Sequence, residues 1–195
     1  MPKSAPALSC AALLFLASCA TGVGTKAAPP RPSPETVQRV DRLLASAPVT
    51  AAFAWIDANR EPLLAEWRRL TEIEAPSGKE QERAAEVERL LRAIPSLEIA
   101  RDEAGNVIVL RKGEGGGPTV AIDAHLDTVF HEIDDVRTRI EGGRAIGAGI
   151  GDDTVNVEAL LALLRALDAA GVRTRGDLVV TFTVEEETSF KGINH

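Results

Sequence analysis

The chain has 195 residues, a length typical of one domain, and its 45% hydrophobic content is sufficient to form a core. It carries 29 acidic and 22 basic side chains, for a formal net charge of −7, and it contains no long basic run. This charge balance argues against a nucleic-acid-binding protein, whose affinity would depend on lysine and arginine contacts to phosphates.

Residues 1–18 are predicted to be a secretory signal peptide. Lys3 supplies a positive start, and the mostly apolar run Ala5–Ala17 is too short to span a bilayer comfortably. The run closes on Leu16–Cys19, which resembles the lipobox of bacterial lipoproteins, where the chain is cut before the cysteine and the cysteine takes a lipid. Cys19 is therefore predicted to be lipid-modified. The alternative is an ordinary signal with an incidental cysteine.

Residues 19–35 follow the predicted cleavage site and read as a proline-rich, extended tether. The only other cysteine, Cys10, lies inside the signal, so no disulfide is expected in the processed chain. We therefore expect residues 36–195 to form the folded part, exported and held at a bacterial membrane by the lipid alone, facing the periplasm.

Helical periodicity dominates the first part of the folded region. Residues 35–47 predict a short helix that Pro48 interrupts, and residues 50–73 predict a longer helix. Because a proline inside a helix removes a backbone hydrogen bond, we expect a break or kink near Pro62.

The next segment is predicted to form a turn, a helix and a hairpin, in that order. Residues 74–78 are predicted to form a turn in which Ser77 or a neighbour can cap the following helix, residues 79–94. Residues 97–101 and 106–111 predict two short strands joined by a hairpin turn.

A second series of elements begins at Val120, where an apolar run predicts a buried strand that ends near His125. It is followed by two short strands, residues 136–140 and 144–146, by an apolar helix that stops near Gly171, and by a buried strand at residues 177–184. Strand, helix and strand in this order predict an α/β fold, with a mostly parallel sheet flanked by helices.

Acidic residues and a histidine follow three of these elements: His125 with Asp127, Asp152 with Asp153, and Glu185–Glu187. Because the ends of parallel strands meet at one edge of a sheet, we expect the three groups to converge. Taken singly, each has a structural explanation. A strand-end histidine is often structural, an aspartate pair can cap a helix, and a run of glutamates can be a solvated face.

The combined chemistry of the three groups suits a pair of divalent metals. Histidine nitrogen and carboxylate oxygen are natural Zn²⁺ ligands, and Mn²⁺ or Co²⁺ would also be tolerated. Asp152 can bridge two ions, and Asp127 can accept the second ring N–H of His125. Two adjacent glutamates can divide metal binding from the role of general base.

Five stretches resemble the M20 family of metallopeptidases in their order and spacing: Glu74–Gly78, Asp102–Val107, Ala124–Val129, Gly147–Asp153, and Glu186–Glu187 followed by Gly192. This family includes tripeptide aminopeptidases, glutamate-releasing carboxypeptidases and aminoacylases. The resemblance covers about residues 70–193. It implies a zinc-peptidase-like catalytic domain that cleaves peptide or N-acyl amide bonds of small substrates with a two-metal-activated water.

The resemblance also implies a role for each matching side chain. His125 would bind one metal, Asp127 would orient His125, and Glu186 would be the general base. Asp152 would bridge the two metals and precede a cis peptide bond to the next aspartate, and Glu187 would bind the second metal.

The chain also departs from the family pattern. Thr154 and Val155 stand where many members have Lys-Gly, which indicates a subgroup. The family's further acidic ligand, its late histidine and its lid or dimerisation domain have no match up to His195, and His131 does not replace them. The resemblance therefore implies the N-terminal part of a catalytic domain that could be dimeric at full length. A second interpretation stays open, a truncated non-catalytic lipoprotein that keeps half the fold as a binding or structural module.

Overall fold

A computed structural model describes residues 31–133 and 135–195 of the chain. The predicted signal peptide, the predicted lipid site at Cys19 and most of the predicted tether lie outside these residues. Among the described residues, no helix combines the length and the apolarity needed to cross a bilayer. Residues 38–195 form one compact unit, which contains the strands described below and the candidate site.

Five helices occur in the described residues: α1 (Pro34–Leu44), α2 (Ala47–Ala58), α3 (Arg60–Thr71), α4 (Gln81–Leu91) and α5 (Thr154–Ala169). Both predicted interruptions are present, and each falls shortly before its proline. Pro48 lies in the first turn of α2, and the break between α2 and α3 falls at Asn59, so that Pro62 lies in the first turn of α3. A first turn tolerates proline because the N–H that proline lacks would have no helical partner there.

The described part of the chain contains six strands: β1 (Leu97–Arg101), β2 (Val107–Arg111), β3 (Val120–His125), β4 (Arg139–Glu141), β5 (Arg144–Ile146) and β6 (Leu178–Thr183). The main sheet has the order β1-β2-β6-β3, and β4 and β5 form a separate hairpin. The β3-α5-β6 unit is parallel as predicted, but β1-β2 and β2-β6 are antiparallel. The α/β class is confirmed, while the sheet is mixed instead of mostly parallel, because β6 pairs with the second strand of the hairpin.

Strand β3 forms one edge of the main sheet, and this changes its predicted burial. Val120 at its start is 51% exposed, whereas Ala124 at its end is buried opposite Phe182 of β6. The expectation of a strand buried throughout is therefore wrong, because an edge strand lacks a neighbour on one side. Only the end that carries His125 is enclosed.

Helix α5 packs its apolar side against the buried face of the sheet. Val157, Leu161 and Leu164 are fully buried in the same cluster as Val180 and Phe182. Burial of this many large side chains stabilises the contact by about 1.5–3 kcal/mol for each residue. The packing fixes where α5 begins, and so it brings the aspartates that precede the helix to the enclosed end of β3.

Candidate metal centre

His125 is the last residue of β3 and is 9% exposed. Its Nε2 atom lies 3.0 Å from Oδ1 of Asp152. Its Nδ1 atom lies 3.1 Å from the backbone oxygen of Asp127 and 3.3 Å from Oδ1 of the same residue. The two ring nitrogens therefore have different neighbours, and Nε2 is the nitrogen that faces the exposed carboxylate.

Asp127 is fully buried, and its carboxylate joins three segments of the chain. Its Oδ2 atom accepts hydrogen bonds from the Ser77 hydroxyl at 2.6 Å and from the Glu187 amide at 3.1 Å. Its Oδ1 atom accepts a hydrogen bond from the Glu186 amide at 2.9 Å. Ser77 does not cap α4 as predicted, because its hydroxyl is engaged by this carboxylate.

The Asp152–Asp153 peptide bond is cis, as the resemblance implied. The two side chains point to different surroundings. The side chain of Asp152 is 79% exposed and faces His125, whereas Asp153 is buried and its Oδ2 accepts the His125 backbone N–H at 3.0 Å. Asp153 therefore holds the end of β3 in place through this hydrogen bond, a contact that the sequence did not indicate.

The three glutamates after β6 separate into two groups. Glu185 bonds to its own loop, since Oε2 accepts from the Ser189 hydroxyl and Oε1 from the Lys191 ammonium. Glu186 and Glu187 face the site, and Oε2 of Glu186 lies 3.9 Å from Nε2 of His125. The structure thus brings together the glutamate pair that the resemblance selected and leaves Glu185 outside.

Two sets of side chains have ligand atoms that lie within 4.8 Å of one another: His125 with Asp152 and Asp153, and His125 with Glu186 and Glu187. Both sets use the same histidine, and only its Nε2 faces carboxylates other than Asp127. One nitrogen lone pair binds one ion. A second ion at this site would therefore depend on carboxylate oxygens alone among the described side chains.

The charges at this site fit a divalent cation. Burial lowers the pKa of His125, but its hydrogen bond to Asp127 and the charges of the Asp153 and Asp152 carboxylates outweigh this and raise it to about 9. Burial and the nearby charge of Asp152 raise the pKa of Glu187. The raised pKa of His125 reflects the negative charge of the carboxylates around the imidazole, and this charge, which also contributes to the shift of Glu187, would be neutralised by a bound Zn²⁺ ion.

Asn106 is a buried residue of this region that sequence reasoning missed. Its Oδ1 accepts the Val184 amide at 3.0 Å, and its Nδ2 donates to the Gly192 carbonyl at 2.9 Å and to Asp102 at 2.8 Å. A Cβ atom at Gly192 would lie 2.4 Å from Oδ1 of Asn106, so this position requires glycine. The asparagine thereby anchors both ends of the segment that carries Glu186.

Residues 121–195 match the model of Peptidase family M20/M25/M40. This matched segment lies in the second half of the chain. It contains His125, the aspartate pair and the glutamate pair, so the family match falls on the residues that converge in space. The M20 match therefore agrees with the geometry of the candidate metal centre.

The chain is also similar to curated proteins and to solved structures. Carboxypeptidase G2 of Pseudomonas sp. (strain RS-16) is 34% identical over 84 residues, which cover 42% of this chain and 20% of that protein. Aminopeptidase PepT of Bacillus cereus superimposes with a TM-score of 0.62 at 21% identity, over 70% of this chain and 39% of that chain.

A third similarity is to a dinuclear metal-binding peptidase of the M20 family from Bacillus subtilis, with a TM-score of 0.52 at 21% identity, over 67% of this chain and 37% of that chain. At such identities the two structural similarities establish the fold alone. The chain spans a fifth to about a third of the length of the curated relatives that it matches.

Proposed function

We propose that the protein is a metal-dependent hydrolase that cleaves peptide or N-acyl amide bonds of small substrates. The observation that carries this proposal is the convergence of His125, Asp152, Glu186 and Glu187 from three separate segments at the carboxyl end of β3. The M20 match of residues 121–195 and the peptidase names of the relatives support the same reaction class.

In this proposal His125, Asp152 and Glu187 would hold two divalent ions, with Asp152 as a ligand of both, and zinc suits the ligand types best. The ions would polarise the scissile carbonyl and lower the pKa of an attacking water. Asp127 keeps Nε2 of His125 directed at the site through the contact of Nδ1 with its own oxygens. It also fixes the backbone of the glutamate pair.

The exposure and position of Glu186 support its proposed role as the general base. Its side chain is 31% exposed, so a substrate and a water can reach it, and its Oε2 lies 3.9 Å from Nε2 of His125. We infer that Oε2 takes the proton from the attacking water and delivers it to the leaving amine. Because this role requires a carboxylate, the amide of glutamine cannot replace it.

The test compares Glu186→Gln with Glu185→Gln in zinc-loaded protein, with tripeptides and N-acyl amino acids as substrates. Glu186→Gln should retain zinc and lose about 10²–10⁴-fold in rate, the usual contribution of a general base. Glu185→Gln is the matched control, since its side chain bonds away from the site, and it should keep the wild-type rate. Unchanged hydrolysis by Glu186→Gln would overturn the assignment.

The alternative of a non-catalytic lipoprotein module is not favoured by the comparisons, because the relatives reported above are named as peptidases. It would predict no hydrolysis and no effect of Glu186→Gln on any binding activity. The zinc-loaded wild-type protein therefore separates the two interpretations in the same assay.

We further propose that the protein is exported and anchored to a bacterial membrane through a lipid on Cys19. The support is the sequence pattern of the first 19 residues. Cys19→Ala should move the protein from the membrane fraction to the soluble fraction, whereas Cys10→Ala, inside the signal, should leave it at the membrane. Membrane retention of Cys19→Ala would refute the lipid anchor.

A further inference from the structure

Two buried charged residues at the start of α4 lie directly behind the candidate metal centre. Glu80 and Arg83 are one helical turn apart, and each is only 2% exposed. Neither was singled out by the sequence, since charged residues in an amphipathic helix usually face solvent. A buried charge needs specific partners to offset its lost hydration, and these partners show what the pair does.

Glu80 bonds to the loop that carries the glutamate pair. Its Oε1 atom accepts the Gly78 amide at 2.7 Å and the Glu185 amide at 3.1 Å. The first bond is local and resembles a helix cap, but the second spans 105 residues of sequence. Glu185 has a φ angle of 54°, a left-handed conformation that few residues other than glycine adopt and that persists only when its surroundings hold it.

Arg83 bonds to the other loop of the site. Its Nη1 atom donates to the Leu126 carbonyl at 2.6 Å, and its Nη2 atom donates to the Ile73 carbonyl at 2.6 Å. Leu126 stands between His125 and Asp127, so this bond fixes the backbone that joins the proposed ligand to the acid that orients it. The fork of the guanidinium group allows one side chain to reach both carbonyls.

We propose that Glu80 and Arg83 are positioning residues that hold the His125 loop and the Glu186–Glu187 loop at the spacing required for metal binding. This inference rests on the proposed function, because it concerns the same site. Glu80 bonds to the backbone of the loop that carries Glu186 and Glu187, Arg83 bonds to the backbone of the loop after His125, and the two residues share one turn at the start of α4. A shift of α4 would therefore displace both sides of the site together.

The test uses Glu80→Ala, with Glu80→Gln as the conservative variant. Glutamine keeps a side-chain oxygen that can accept both amides, whereas alanine removes the acceptor. Glu80→Asp draws the carboxylate back by one methylene and serves if the alanine variant does not fold. Glu82→Ala, in the same turn but exposed, is the control for a change in helix propensity.

The first readout is amide hydrogen exchange of residues 184–188 in the metal-free protein. Glu80→Ala should speed exchange of the Glu185 amide about tenfold, in line with the loss of one hydrogen bond to a charged group, while Glu80→Gln and Glu82→Ala should match wild type. Wild-type exchange in Glu80→Ala would overturn the inference, whatever the metal content.

The second readout is Zn²⁺ affinity, measured by competition with a chromogenic chelator. Glu80→Ala and Arg83→Lys should bind Zn²⁺ about 10–100-fold more weakly, as expected when a partner behind a metal ligand is lost, and Glu80→Gln should rescue the affinity. If Glu80→Gln weakens zinc as much as Glu80→Ala, positioning is refuted, because charge alone would then matter. A wild-type protein that binds no zinc would overturn the proposed function instead.

Discussion

Replacing Asp127 with alanine should destabilise the protein strongly, because this carboxylate is fully buried and joins three segments. The change removes hydrogen bonds to Ser77 and to the amides of Glu186 and Glu187. A hydrogen bond to a charged group contributes about 1.5–3 kcal/mol, and amides that lose a buried acceptor add a desolvation cost. Allowing for partial relaxation and entry of water, we expect a loss of about 4 kcal/mol.

The assay is equilibrium unfolding in urea, with a chelator present so that metal binding does not contribute. With a slope of about 2 kcal/mol per molar urea, the midpoint of Asp127→Ala should fall by about 2 M. Asp123→Ala is the matched control, because Asp123 lies on β3 shortly before Asp127 but is exposed and, among the described residues, accepts only from the Thr181 and Thr183 hydroxyls. Its free energy of unfolding should change by less than about 1 kcal/mol.

Asp127 also gives the stability of the protein a pH dependence of known sign. Burial raises the pKa of Asp127, but hydrogen bonds from His125, Ser77 and two backbone amides prevail and lower it from 3.8 to about 2. Its stabilising contribution is therefore complete above about pH 4 and is lost as the pH falls towards 2. Asp127→Asn should lack this pH dependence of stability.

In the urea experiment, equal unfolding midpoints for Asp127→Ala and Asp123→Ala would refute the hydrogen-bond network around Asp127.

Three further predictions concern the rest of the fold. Burial and the charge of Glu66 outweigh the opposing charge of Arg165 and raise the pKa of Glu158 from 4.5 to about 8. The free energy of unfolding should therefore fall as the pH rises between these two values. Glu158→Gln should flatten that decline in urea unfolding at pH 5 and 8.5, and an identical decline in both proteins would contradict the assignment. Gly176→Ala should unfold at a lower temperature than Gly151→Ala. A Cβ atom at Gly176 would lie 1.7 Å from the Pro118 carbonyl oxygen, whereas a Cβ atom at Gly151 would meet nothing within 4 Å. Equal melting temperatures of the two variants would refute this prediction. Phe182→Ala should cost about 3–5 kcal/mol in urea unfolding, since its side chain is fully buried, and a loss below about 1 kcal/mol would contradict its place in the core.

The parts of the fold that were predicted correctly have local causes. The apolar periodicity of α5 and the run Leu178–Phe182 identify a buried helix and a buried strand without reference to any other segment. The hairpin of β1 and β2 follows from the turn between them, where the Asp102 carboxylate accepts the amides of Gly105 and Asn106. The incorrect predictions concern which strands lie next to one another in the sheet. The exposed start of β3 and the antiparallel pairing of β6 with β2 depend on strand order, which periodicity does not report.

The candidate site shows the same division. His125 and the glutamate pair were found because their residue types and spacing match a known pattern. Ser77, Glu80 and Asn106 were missed or misassigned because their decisive bonds reach across 50, 105 and 78 residues of sequence. A polar residue in a turn or at a helix start has a satisfactory local role, so nothing in the sequence indicates that its side chain is bonded elsewhere.

Titration of Zn²⁺ into the metal-free protein tests the central claim most directly, because the claim is that residues from three segments form one metal centre. We predict saturable binding by the wild type and by Glu185→Gln. His125→Gln and Asp152→Asn should each weaken binding by more than about tenfold, since each removes a ligand and not merely a partner behind one. Absence of zinc binding by the wild type, or full affinity in His125→Gln, would contradict the account.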